Sequence, residues 1–339
     1  MKWRGKMAND IDVVITWVDD NDVKWRNERA KYLIGDNSVK EVTKEDMRFR
    51  NWDNLQYVFR GIEKYMPWVR KIHFVTYGHL PKWLNTDNPK LNIVRHEDFM
   101  PKEYLPSFNG CAIALNMHRI PGLSEQFIYF NDDMFVIKPT KPEDFFKNGI
   151  PCDMACLSPQ PVFRNMVVNI ETNNLEIIND HFTINDVKYN KRKWINFRKY
   201  GMHALRTFIF SSFSSIIGIY VNHLAYSYNK STFEEVWEKE YKAMDATSRN
   251  KFRTPLDNSE WLMREWQIMS GRFEPREKNF GLLISAGDTD TVKNVLRKSA
   301  YKMVCINDGT TVTDFEATKK IVNEELDRLL PEKSGFEKE

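Results

Sequence analysis

Two adjacent carboxylates, Asp132 and Asp133, follow a run of four apolar residues in the stretch QFIYFNDDMFV (126–136). The apolar run reads as a buried strand, and Asn131-Asp132-Asp133 places both acids at its carboxyl end, where open α/β sheets bind their ligands. Paired hard oxygen ligands there suit Mg²⁺ or Mn²⁺ held on a diphosphate. A turn with helix-capping aspartates uses the same residue types, so this stretch alone leaves both readings open. A second acidic strand end lies near the start, where the β-branched run IDVVITWV (11–18) runs into Asp19-Asp20-Asn21-Asp22. A solvated loop is the plain alternative for those aspartates.

The elements that must position these acids alternate along the chain. Residues 24–32 read as a charged helix and 36–45 as loop. Across 51–65, Leu55, Val58, Phe59 and Ile62 recur at helical spacing, with Asn51 or Asp53 available as cap and Met66-Pro67 as terminator. KIHFVT (71–76) and KLNIVR (90–95) read as the next strands, and 111–119 as a helix leading into the NDD strand. Strands alternating with helices predict a parallel α/β sheet. Later, 231–244 carries Phe233, Val236, Trp237 and Tyr241 on one side of a helix, 257–269 forms another, and 315–330 is a helix of alternating charge before a polar, frayed tail.

Composition narrows the class. The 339 residues allow one large domain with insertions or two domains, and 42% hydrophobic with 13% aromatic residues can bury a sizeable core. Fifty Lys and Arg against 47 Asp and Glu argue against an electrostatic nucleic-acid binder, so no nucleic-acid partner is expected. Cys111, Cys152, Cys156 and Cys305 lack zinc-ligand spacing and are too few for a disulfide scaffold, which fits a reducing compartment. The start, MKWRGKMAND, has no apolar stretch after its charges, so a cytoplasmic location is expected.

IDVVITWVDDND, the long block from Arg48 to Phe135, and MVCINDG near the end resemble the signature blocks of the stealth protein family. The likeness runs with gaps from Ile11 to Asp308. That family includes bacterial capsule hexose-1-phosphate transferases and the lysosomal-enzyme N-acetylglucosamine-1-phosphotransferase. The resemblance implies an α/β, Rossmann-like, GT-A-like nucleotide-sugar core with a helical lobe, which moves a sugar 1-phosphate onto an acceptor hydroxyl. By the same resemblance the family's catalytic aspartate falls on Asp133, its histidine on His223 of YVNHLAYSY, and its arginine on Arg253 of SRNKFRTPLDNSEW. Its catalytic glutamate does not carry over, because Ala114 stands in that position. Gln56 stands where an arginine is usual and Asp20 where a glycine is usual.

The chemistry suits these residue types. Attack on a β-phosphorus must neutralise charge on the equatorial oxygens and on the departing nucleoside monophosphate. A metal on Asp132, more weakly on Asp308, and the planar fork of Arg253 can both do so. His223 or Asp133 can take the acceptor proton. Trp17 and Asp19 are expected near the nucleotide, with Asn109, His118, Arg119 and Asn131 reaching sugar or phosphate. A surface ion pair for Arg253, a structural histidine at 223 and a core position for Trp17 are the plain alternatives.

The middle of the chain is the least legible. After a loop at 152–161 and a helical stretch at 163–182, residues 188–206 hold Lys188, Lys191, Arg192, Lys193, Arg198, Lys199 and Arg206 with no acid, interleaved with Trp194, Phe197 and Tyr200. The apolar, serine-bearing run 207–221 that follows is shorter than the roughly 20 residues a membrane span needs. This pairing fits a peripheral membrane contact through 188–221, a groove for an anionic glycan, or a solvated helix beside a core helix. The expected division is a core at 8–160, a helical insertion with His223 at 161–245, the rest of the core with Arg253 at 246–310, and a helix and tail at 311–339. The expected partners are a nucleotide-sugar donor, a UDP-sugar first, and a growing glycan or glycolipid acceptor. Two other functions fit less well: a GT-A-type glycosyltransferase releasing nucleoside diphosphate, and a catalytically silent glycan-binding protein.

Overall fold

The computed structural model describes residues 10–33, 50–298, 300–309 and 311–339. The expected loop at 36–45 lies outside the described residues. Among the described residues, eleven strands run in chain order as β1 Ile11–Thr16, β2 Ile72–Thr76, β3 Leu91–Arg95, β4 Gln126–Phe130, β5 Met134–Val136, β6 Phe146–Lys147, β7 Ile150–Asp153, β8 Tyr226–Asn229, β9 Glu274–Pro275, β10 Gly281–Ser285 and β11 Met303–Asn307. The central sheet has the order β3-β2-β1-β4-β8, parallel except for β8, which runs antiparallel to β4. A second sheet has the order β10-β11-β5 and a third the order β6-β7-β9. This is the α/β architecture the alternation of elements predicts.

β1 occupies the middle of the central sheet because both of its faces are apolar. Ile11, Val13 and Ile15 enter one core cluster with Val58, Phe59 and Ile62 of the helix Leu55–Tyr65, while Val14 enters a second cluster with Phe127 and Tyr129 of β4. Two-sided burial is what a continuous β-branched run specifies. Removing the Phe59 ring from its fully buried site would cost about 3–5 kcal/mol. The same helix lies so close to β5 that a Cβ on Gly61 would meet the Val136 carbonyl oxygen at 2.6 Å.

Asp12 interrupts the run and anchors the end of the sheet remote from the acids. It accepts from Arg70 at 2.8 and 2.5 Å, from the Ser124 N–H at 2.8 Å and lies 3.0 Å from His73 Nε2. Burial would raise its carboxyl, but these bonds win and hold it below the ordinary carboxylate range.

Several elements differ from expectation. The single helix expected over 231–244 breaks at Glu240 into Lys230–Lys239 and Tyr241–Arg249, and the helix over 111–119 shortens to Gly110–Leu115 followed by a 3₁₀ turn at Met117–Arg119. The tail after Phe315–Leu329 is not frayed. Phe336 is buried against Phe59, Arg60 grips Glu337 with two bonds of 2.8 Å, and the Lys338 N–H reaches the Trp83 carbonyl. Strand pairing crosses the expected boundary at 160. β8, from inside the expected insertion at 161–245, completes the central sheet, and β11, from the expected remainder of the core, pairs with β5 across half of the sequence. Edge strands need partners, and these were supplied from distant segments.

Candidate active site

Asp133 sits in the turn between β4 and β5, at the carboxyl end of the central sheet. Its carbonyl accepts the Ile306 N–H at 2.9 Å, and its Oδ2 accepts from Asn307 Nδ2 at 3.1 Å, so the end of β11 clamps the turn. Its Oδ1 is buried and has no hydrogen-bond partner. A buried carboxylate oxygen without a partner is costly unless a proton, a cation or a substrate donor meets it. Asp132 opens onto solvent but lies deep in a concave crevice. Poor solvation there, with the charge of Asp133 next to it, pushes its carboxyl up to about 7. Both features are what a divalent cation would relieve, and Asp132 with Asp133 Oδ1 supplies the hard oxygens for one. Cys305 is close by, and burial and then Asp133 hold its thiol well above the ordinary range.

His223 comes to the same place from the segment that leads into β8, the strand beside β4. Its ring, the Asp133 carboxylate and the Cys305 sulfur place one atom each within 4.8 Å of one another. It enters β8 with a φ of +43°, a left-handed backbone rare outside glycine and asparagine, where its N–H donates to the Tyr226 hydroxyl at 3.0 Å. A residue kept in that strained conformation is held by its surroundings, here also by the edge of Trp261 at 5.7 Å.

Trp261 opens the helix Trp261–Met269, and the residue before it, Glu260, faces Arg253. Arg253 lies against the start of the helix Gly110–Leu115, where its guanidinium would be 3.4 Å from a Cβ on Gly110 and bonds toward Cys111. Burial pushes the Glu260 carboxyl up to about 7, although the positive charge of Arg253 pulls the other way. Tyr129, bonded through its hydroxyl to Thr16, lies between the two halves. Burial first, then the charge of Glu260, with smaller contributions from Cys111 and Asp132, holds that hydroxyl well above the usual range. Asp132, Asp133 and His223 thus line one crevice, and Glu260 with Arg253 connects to it through Tyr129 and Trp261. Sequence reasoning passed over Glu260. The only signal for it was an acid just ahead of the tryptophan that opens a helix.

Three expected contact residues make contacts within the protein. Asn109 is fully buried with its amide spent: Oδ1 caps the Cys111 N–H at 3.0 Å, and Nδ2 reaches Asp257 at 2.7 Å and the Phe252 carbonyl at 3.3 Å. It ties down the loop that carries Arg253. His118 is stacked on Phe233 and held near Trp237, and burial pulls its imidazole down to about 3. Arg119 lies over Trp237 and bonds Asn116 at 3.0 Å, so both belong to the packing of the helix Lys230–Lys239. Trp17 stacks on Phe74 and meets His79 edge-on, and Asp19 accepts the N–H of its own turn at Asn21 while its backbone N–H donates to His79. Both stand at the carboxyl end of β1, with Asn131 at that of β4. Asp308 accepts from Trp52 at 3.2 Å and pairs with Arg50 at 3.7 Å, leaving Oδ1 buried without a partner. Ala114 is buried one helical turn from Cys111 in the second core cluster.

The match to known proteins is broad. Residues 9–36 fit the model of stealth protein conserved region 1, and residues 48–153 that of conserved region 2. A capsular polysaccharide phosphotransferase, WcwK of Streptococcus pneumoniae, is 41% identical over 336 residues, covering 98% of this chain and 99% of that protein. The chain belongs to the stealth family. Within it, the receptor polysaccharide phosphotransferase WefC of Streptococcus gordonii is 37% identical over 98% of this chain and all of that protein, and the exopolysaccharide phosphotransferase cps2G of Lactiplantibacillus plantarum is 36% identical over 97% and 96%. A solved structure of the galactosyltransferase LgtC with donor and acceptor sugar analogs aligns with 92% of this stealth chain and 95% of its own, at TM-score 0.41 and 9% identity, a likeness too loose to assign anything further.

Proposed function

We propose that this stealth-family enzyme moves a hexose or N-acetylhexosamine 1-phosphate from a nucleoside diphosphate sugar, a UDP-sugar first, to a glycan hydroxyl in capsule or related surface polysaccharide. The nucleoside monophosphate leaves. The observation that supports this reading is the crevice itself, in which two carboxylates and an imidazole from distant segments meet at the carboxyl end of the parallel sheet. In this reading the acceptor oxygen forms a bond to the β-phosphorus as the bond to the bridging oxygen breaks. His223 receives the acceptor proton, with Asp133 beside it to hold the imidazole and stabilise its charge. Arg253 takes the charge that develops on the phosphoryl oxygens. Trp17, Asp19 and Asn131 border the nucleotide. Mg²⁺ or Mn²⁺ on Asp132 and Asp133, when bound, would neutralise diphosphate charge.

No helix among the described residues is long and apolar enough to cross a membrane. The reading places the enzyme in the cytoplasm, at the inner face of the membrane, where 188–221 approaches it. The test is a product assay with uridine, cytidine and guanosine diphosphate sugars, with and without a chelator. Nucleoside monophosphate with the β-phosphate retained in the glycan is expected. Release of nucleoside diphosphate would make the protein a glycosyltransferase instead.

A further inference from the structure

The helix Met202–Phe210 is turned inside out. Its inward side holds the small residues Ala204 and Thr207, with Thr207 Oγ1 accepting the Leu157 N–H at 3.1 Å. Its outward side is apolar: Met202 is 71% exposed, Phe208 60% and Ile209 54%, with Leu205 between them. Met202, Leu205 and Ile209 fall on one stripe of the helix, and the exposed Phe213 continues that surface past its end. Single exposed apolar residues are ordinary, but a contiguous row on a helix whose buried side is small and polar marks a surface that meets something other than water.

The charge around this row is one-sided. From 187 to 233 the sequence has eight Lys and Arg and no Asp or Glu. Lys193 and Lys199 are engaged by Glu274 at 3.1 Å and Glu277 at 2.8 Å, but Lys188, Lys191, Arg192 and Arg198 are exposed. We propose that this face is a docking surface for an anionic lipid bilayer, with the apolar row at the acyl boundary and the cations among the headgroups. A second copy of the chain is the poorer occupant, because a two-fold contact through this row would bring two rims of net positive charge together. Nine residues are too few to span a bilayer, so the helix lies on it.

The docked face is joined to the crevice. Beyond the helix, the Gln160 N–H bonds the Ile217 carbonyl and Ile219 bridges to Leu157, after which the chain arrives at His223. Gln160 holds Glu171 at 2.5 Å, and the charge of His223 acts on that carboxyl. The surface thus adds to the transfer reaction a means of meeting an acceptor presented at a membrane, and it rests on the proposed function only for that purpose.

Vesicle binding tests the surface without catalysis. The full chain is sedimented with phosphatidylcholine vesicles and with the same vesicles containing phosphatidylglycerol. Binding to the anionic vesicles, weakened by salt, is expected. The double variant Phe208→Ser/Ile209→Ser should lower partitioning about tenfold or more, and Lys191→Gln and Arg192→Gln about fivefold each, with unfolding temperature unchanged. Monophosphate release with a soluble acceptor should be unaffected in all of them. Equal binding to both vesicle types, no loss in the serine variant, or a wild-type dimer that this variant dissolves would overturn the proposal. Loss of vesicle binding with transfer intact, and the reverse, separate this inference from the proposed reaction.

Discussion

Replacing Glu260 with glutamine should make the protein more stable in mild alkali and less active. Glu260 loses solvation where it stands, and its carboxyl is pushed from 4.5 up to about 7. The native state therefore holds this proton more tightly than the unfolded chain does. Below about pH 4.5 both states are protonated and the site costs nothing, whereas stability falls as pH rises from there to about 7 and stays lowered above it. A shift of that size corresponds to about 3 kcal/mol at most. Because the carboxylate is only partly buried and faces Arg253, roughly 1–2 kcal/mol is the sounder expectation. Glu260→Gln removes that cost, so at pH 8 it should unfold about 1–4 °C higher than wild type, with the gap closing toward pH 5. Turnover should fall roughly 10–100-fold, the worth of one charged contact to Arg253. Thermal melts across this pH range, together with monophosphate release at pH 8, supply both readouts. A variant that is equally destabilised at every pH and retains full activity would refute the reasoning.

Asp133→Asn keeps the shape and the Asn307 bond but removes the charge beside His223; transfer should drop about 10²–10⁴-fold while the unfolding temperature stays within a few degrees, as read by product assay and melt. Asn109→Ala should act through folding, lowering stability by about 2–3 kcal/mol as the Asp257 contact and the Cys111 cap are lost, with donor KM little changed. A large rise in KM without a change in stability would instead return Asn109 to the substrate.

The legible part of the sequence was that in which local chemistry and local structure coincide. IDVVITWV and QFIYF specify buried strands by composition alone, and the Leu55, Val58, Phe59, Ile62 spacing specifies the helix that covers them. The acids at 132 and 133 follow directly from the strand before them. What could not be read depends on contacts far apart in the chain. Asn109, His118 and Arg119 have the side chains of ligands, and only the positions of Asp257, Phe233 and Trp237 show that the Asn109 amide is already bonded and that the other two pack on aromatic rings. Glu260 was hidden for the opposite reason: an acid ahead of a helix looks like capping until Arg253 is found beside it.

The bond from Asn307 to Asp133 spans 174 residues, and Phe336 must still pack on Phe59. During synthesis, the NDD turn emerges long before the strand that clamps it. A nascent chain on the ribosome, with both acids already exposed, therefore has no finished crevice in which to consume nucleotide sugar. Competence arrives late and all at once, after β11 has left the exit tunnel and closed against β5.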